Sequence, residues 1–172
     1  MELLFGALVM LGCGSGESGG GDEGSVPTVA AAVQNDGPPA VPATGATYYV
    51  SPTGNNANAG TLASPWRTPG YGSRKLKAGE TLVILGGSYT LSVYDDDILD
   101  PPSGTANNWV VIRGEDGNRP ILRGKSNLLT AVDLGGAKYV KLQNLEIRSD
   151  NGAWFRDGIE ALGSPAEHLL FQ

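Results

Sequence analysis

The chain is patterned as short apolar strands that return at a nearly constant interval. Val140, Leu142 and Asn144 align with Leu82, Ile84 and Gly86, with Val110, Ile112 and Gly114, and with Leu169 and Phe171, at offsets of 28, 30 and 29 residues. The two inward positions of every copy are large and apolar, whereas the intervening Val83, Leu85, Val111, Arg113, Lys141, Gln143, Leu170 and Gln172 are mixed. Such alternation buries one face of a strand, and its recurrence at this interval is solenoid spacing. Gly86, Gly114 or Asn144 follows the strand in three copies. These residue types enter the left-handed backbone region at least cost, which predicts a tight corner at one place in each copy. Units stacked one strand spacing apart, about 4.8 Å, satisfy each other's backbones and enclose one apolar column. The pattern therefore predicts an all-β chain wound as a right-handed parallel β-helix.

A second series keeps the same rhythm. Val132 and Leu134 match Ile159 and Ala161 as inward residues 27 apart, which leaves Asp133 and Glu160 projecting outward, one above the other. A third series stays open, because residues 120–123 match 145–148 in more than one way. Two carboxylates about 5 Å apart on neighbouring strands repel, so one takes up a proton or a cation settles between them. Asp157 stands close enough in sequence to add a third oxygen ligand. Lys141, Arg148, Arg113 and Arg123 are the candidate bases, each outward or near a corner, with no motif tying them to the carboxylates. His168, the sole histidine, flanks the last strand. Asp95, Asp96, Asp97 and Asp100 have the hard oxygens that suit calcium, but their spacing lacks the glycine turn of a calcium loop. The plainer reading of that stretch is a solvated loop.

Composition narrows the class. With 26 Gly, 11 Pro and 7% aromatic residues among 172, a loop-rich β fold is favoured over a helical one. The net charge of −6 comes largely from the first 47 residues, which hold five acidic residues and no Lys or Arg. No basic stripe is present, which argues against nucleic acid as a partner. Cys13 is the only cysteine, so no disulfide framework or CxxC metal site exists. It ends an apolar run, residues 3–11, too short to span a bilayer and of signal-peptide size. Gly12-Cys13 resembles the lipobox of bacterial lipoproteins, where the cysteine is acylated. Residues 1–13 are thus expected to be a signal peptide with Cys13 as the lipidation site. Residues 14–46, glycine-serine then alanine-proline, are expected to be a flexible linker, reaching about 30 Å. This places the protein outside the cell, as an outer-membrane or cell-surface lipoprotein, or else secreted or periplasmic, with the membrane met only through the lipid.

The segment that opens the folded region carries a resemblance. Tyr48-Tyr49-Val50-Ser51-Pro52, Gly54-Asn55, Asn58, Gly60-Thr61, Pro65-Trp66, Ala78-Gly79-Glu80-Thr81 and Gly86-Gly87-Ser88-Tyr89 resemble the N-terminal segment of secreted β-helix proteins of the polysaccharide lyase and pectate-lyase-like class. Asn56 and Ala59 depart from the usual Asp and Pro. The capping helix of that class falls on TPGYGSRKLK, where Pro69, Gly70 and Gly72 predict an irregular loop or one turn near residues 73–76, with Trp66 and Tyr71 lying over the end or face of the first coil. The resemblance implies calcium, held by acids such as Asp133, Asp157 and Glu160 on the outer face, neutralising a uronate carboxylate while Lys or Arg abstracts the C5 proton for β-elimination.

The expected function is accordingly lyase-like action on an acidic, uronate-containing polysaccharide, by a monomer. A non-catalytic glycan-binding or adhesin-like β-helix, or an inactive truncated fragment, are the alternatives. Leu169-Leu170-Phe171-Gln172 stops where a corner is due, so residues 47–172 are expected to be the N-terminal coils of a longer domain, continuing with Asn or Gly.

Overall fold

The computed structural model describes residues 42–125, 128–149 and 155–172. Cys13, the apolar run before it and the tether up to residue 41 lie outside the described residues, as does the side chain of Asp95. Strands arise where the alternating Val, Ile and Leu residues stand: β1 (Thr47–Val50), β2 (Thr81–Ile84), β3 (Ser88–Leu91), β4 (Val110–Gly114), β5 (Ile121–Gly124), β6 (Thr130–Asp133), β7 (Lys138–Gln143), β8 (Glu146–Arg148), β9 (Asp157–Glu160) and β10 (Glu167–Phe171). Two short helices, α1 (Pro69–Lys75) and α2 (Tyr94–Asp97), complete the elements among the described residues.

Every strand pairing is parallel, and the strands form three walls: β1-β2-β4-β7-β10, β3-β5-β8 and β6-β9. The chain visits the walls in turn, making a parallel β-helix of about 4 turns. Leu82, Ile84, Val110, Ile112, Val140 and Leu142 from the first wall meet Tyr89, Leu91 and Leu122 from the second and Val132 and Leu134 from the third in one buried column. The phenol of Tyr89, tucked into that column, donates to the Leu85 carbonyl at 2.7 Å. Burial, with the Glu115 charge second, pushes its pKa far above the ordinary tyrosine value.

Leu82, Val110, Val140 and Leu169 do share a wall, but one register differs from the expectation. Leu82 pairs with Ile112 and Ile84 with Gly114, two residues beyond the alignment of Leu82 with Val110. The later pairs, Val110 with Val140 and Leu169 with Val140, are as expected. A slip of two keeps each side chain on its face, so the burial pattern is blind to it. The corner prediction is corrected with it. Only Asn144, at φ 54°, is left-handed among the three corner residues. Gly114 is needed for space instead, since a Cβ there would lie 2.1 Å from the Asn144 carbonyl oxygen. The open third series resolves as Ile121 with Glu146, Leu122 with Ile147 and Arg123 with Arg148.

The first coil is closed by α1 rather than by an irregular loop. Pro69 occupies the first turn, where its missing N–H is harmless. The glycines cost about 1 kcal/mol each in a helix, but they let it seat on the column: a Cβ on Gly72 would stand 2.9 Å from Val50 Cγ2, and one on Gly70 2.4 Å from the carbonyl oxygens of Asp96 and Ile98. Asn56 holds the approach to this helix, its Oδ1 accepting from the Arg67 and Thr68 amides at 2.8 and 3.1 Å. Trp66 lies over the end of the column as expected, stacked on Tyr48 at 5.0 Å and meeting Tyr71 edge-on at 5.6 Å.

The acidic stretch after β3 is only in part the solvated loop expected, for Asp96 and Asp100 are exposed but a short helix forms there. Asp97 is buried, and its Oδ2 accepts from the Ser92 amide (2.7 Å), the Ser92 hydroxyl (3.1 Å) and the Val93 amide (2.8 Å). Its charge thus fastens the turn that carries α2. No helix among the described residues is long and apolar enough to cross a membrane.

Candidate functional site

The third wall collects the acids. Val132 pairs with Ile159 and Asp133 with Glu160, so the two acids stand in register on adjacent strands. Val132 is fully buried, but Ile159, expected inward, is 41% exposed and the Glu160 side chain only 11%. A bridge from Leu99 to Val132 extends the wall by one rung. Its hydrogen bonds run from the Leu99 amide to the Ala131 carbonyl (3.0 Å) and from the Asp133 amide to the Leu99 carbonyl (2.8 Å). Asp100, the residue after Leu99, thereby takes the place that Asp133 and Glu160 take on the next two coils. Sequence alone missed this third rung because the insertion carrying α2 disturbs the interval. The 27-residue repeat of the lower two was visible.

Each rung has its own protein partner. Asp100 Oδ2 pairs with Arg74 Nε at 3.3 Å, and Arg74 Nη2 also donates to the Tyr94 carbonyl at 3.1 Å. Asp133 Oδ2 accepts from the Tyr94 hydroxyl at 2.5 Å, while its Oδ1 accepts from the Gly135 amide at 2.8 Å. Arg156 spans the last pair, with Nε 2.7 Å from Asp157 Oδ2 and Nη2 3.4 Å from Glu160 Oε2. The bond to Asp133 is the first reason that the Tyr94 pKa is pushed up to about 12; burial and the charges of Asp133, Glu160 and Asp100 add to it. Asp157, by hydrogen bond and charge, is the main cause of a raised Arg156 pKa, with Glu160 adding a smaller push.

The three predicted ligands therefore lie on one wall but are shared between two partners, Asp133 with Tyr94, Asp157 and Glu160 with Arg156. No three His, Cys, Asp or Glu side chains among the described residues converge on a point as they stand. Their chemistry still fits a hard cation, since all are carboxylates and two stand in register. Sequence reasoning also missed Tyr94 and Arg156. The run Arg156-Asp157-Gly158-Ile159-Glu160 carried a signal, a cation four residues before an acid, but Tyr94 reaches Asp133 only through the winding of the chain.

The candidate bases stand elsewhere. Lys141 and Arg113 are on β7 and β4 of the first wall, where Arg113 Nη1 meets Asp116 Oδ2 at 3.1 Å. Arg123 and Arg148 face each other across β5 and β8, with Arg148 paired to Glu146. His168 stacks on Tyr139 at 4.4 Å, in a column that continues to Trp109. None of the five is on the acidic wall.

A second surface feature lies on the first wall. Tyr49, Leu62, Val83, Leu85, Arg113 and Asp116 line a groove of about 250 Å³. Val83, outward by alternation, is nonetheless buried there, between its strand partners Tyr49 and Arg113.

Residues 48–164 match the family model described as Pel9A-like, right-handed β-helix region. Pectate lyase PEL9 of Emericella nidulans is 35% identical over 89 residues, 52% of this chain and 21% of the lyase. The uncharacterized protein YwoF of Bacillus subtilis is 35% identical over 80 residues, 45% of this chain and 16% of YwoF. The chain thus spans about a fifth of the length of the curated relatives that it matches. Among solved structures, a rhamnogalacturonan lyase superposes with a TM-score of 0.49 at 20% identity, over 60% of this chain and 28% of the other. The GH136 lacto-N-biosidase from Eubacterium ramulus gives 0.47 at 21% identity, over 70% and 22%.

Proposed function

Because the chain belongs to the Pel9A-like family of right-handed β-helices, we propose that it is part of an exported, surface-held protein that acts on a uronate-containing polysaccharide by lyase-type β-elimination. The observation that carries this reading is the register of Asp133 with Glu160 on the third wall, with Asp157 at the head of the same strand and linked to Glu160 through Arg156. These three would hold calcium, whose charge when bound would neutralise a uronate carboxylate and make the C5 proton easier to remove. The chain's own residues orient this face: Tyr94 and the Gly135 amide fix both oxygens of Asp133, and Arg156 fixes Asp157. Cys13 would tie the protein to a membrane by its lipid, and the polysaccharide, not a nucleic acid, is the partner.

A second reading, a glycan-binding β-helix without catalysis, is favoured by one observation: none of Lys141, Arg113, Arg123, Arg148 and His168 is on the acidic wall. Incubation with polygalacturonate and calcium, followed by ultraviolet absorbance, separates the two. A rise from an unsaturated product that is lost in Asp133→Asn and Glu160→Gln supports the lyase. Retention of the polymer in affinity electrophoresis without any rise supports the binding module.

A further inference from the structure

We propose that a cavity at the free edge of the second wall is a sugar-binding subsite, which takes one neutral, hydroxyl-rich ring of a polysaccharide apart from the acidic wall. The cavity, of about 200 Å³, lies between β3 and the segment that leads into α1, and Pro52, Arg67, Pro69, Ser88, Thr90 and Asp97 are in its lining. Its sides are held by the fold itself. Gly87, at φ 132°, lets Pro52 close in on β3, since a Cβ there would lie 2.8 Å from Pro52 Cγ. Across the cavity, Asn56 Oδ1 holds the Arg67 and Thr68 amides at 2.8 and 3.1 Å.

Three kinds of polar group are left unspent there. Asp97 is only 8% exposed, and all three of its bonds go to Oδ2, so its Oδ1 has no donor among the described residues. The exposed Arg67 side chain makes no ion pair or hydrogen bond among the described residues. β3 pairs with β5 alone, the Gly87 and Leu91 carbonyls accepting from the Ile121 and Lys125 amides at 2.9 and 2.8 Å. Ser88 and Thr90, which alternate with these residues, therefore turn their own amides and carbonyls to the unpaired edge.

A sugar ring matches this set. One hydroxyl of a vicinal diol donates to a carboxylate oxygen while its neighbour accepts from a guanidinium, and both bonds are charge-assisted. Ser88 and Thr90 serve the remaining hydroxyls, and the proline rings meet the C–H groups. The space suits a single ring, because drug-sized ligands fill about 300–1,000 Å³. A lone carboxylate fits less well, since the Asp97 charge opposes it.

The test is nuclear magnetic resonance titration of the full chain with D-galactose and, separately, D-glucose, following backbone amides in the wild type, Arg67→Ala and Thr90→Val, with thermal melts to confirm folding. Expected are saturable shifts at the Ser88, Thr90 and Ser92 amides, with a dissociation constant on the order of millimolar for a ligand of this size. Arg67→Ala should weaken binding about tenfold and Thr90→Val about threefold. Unchanged affinity in both variants, or shifts confined to other parts of the chain, overturns the assignment. So does sodium acetate moving the same amides with equal affinity, which would make the cavity an anion site. Absence of shifts with both sugars up to about 50 mM overturns it as well. Cleavage of polygalacturonate is a separate readout, so the subsite and the lyase activity stand or fall independently.

Discussion

Tyr94 and Asn144 each turn a local bond into a property of the whole wall. The Tyr94 phenol keeps its proton to about pH 12 because the proton is shared with Asp133. Ultraviolet difference titration should show a tyrosine transition near that pH, which moves back toward the ordinary value of about 10 in Asp133→Asn. The folded-state pKa is the higher one, so this bond's contribution to stability is complete below about pH 10 and is lost as the pH rises through about 12. Asn144 sits at φ 54°, with Nδ2 donating to the Glu115 carbonyl and Oδ1 accepting from Arg119 Nε, both at 2.9 Å. Asn144→Gly should cost about 1–2 kcal/mol for the lost bonds, and Asn144→Ala about 1 kcal/mol more for the left-handed backbone, as read by urea denaturation. The Asn144 corner was legible because asparagine enters the left-handed region cheaply, yet residue type was only a partial guide: Gly86 and Gly114 do not turn that way, whereas Tyr139 and His168 do, at φ 54° and 53°. The Tyr94 bond was not, because nothing in the sequence says that an insertion folds back over the next coil.

At the scale of elements, parity was legible, and register was legible for β4–β7, β7–β10 and β6–β9 but missed for β2–β4. Alternation placed Leu82, Ile84, Val110 and Ile112 inside correctly, yet it could not choose between pairing Leu82 with Val110 or with Ile112, since both bury the same atoms. On the other side of β4, Gly114 admits the close approach of Asn144 from the next coil. Gly114→Ala should cost at least about 3 kcal/mol in a melt or denaturant titration, since its methyl would meet a carbonyl oxygen at 2.1 Å and neither strand can retreat. Gly117→Ala, at φ 75° with nothing within 4 Å, should cost only about 1–2 kcal/mol from backbone strain. The capping helix was misread for a related reason: intrinsic propensity counts Pro69, Gly70 and Gly72 against a helix, whereas seating on the column requires them. Truncating the ring beneath it, Trp66→Ala, should destabilise the first coil by about 3–5 kcal/mol.

Taken as a whole molecule, the coils are coupled chiefly to their neighbours, so protection should be graded along the axis. Amide exchange is expected to be slowest in β2, β4 and β7, which are paired on both sides, and faster in β9 and β10, which have one partner strand among the described residues. Uniform protection throughout would contradict a column built by stacking. The fold was readable because a repeated interval writes the same constraint several times over. The site was readable only where two coils repeat that interval, at Asp133 and Glu160.

The position of α1 between β1 and β2 has a consequence for synthesis. The ribosome delivers the lid before nearly all of the column it covers. At about 5–20 residues per second, a further coil emerges roughly every 2–6 s, and each finds a sealed platform to wind onto rather than a bare greasy edge. Vectorial growth from a closed start spares the nascent chain the search for its first partner.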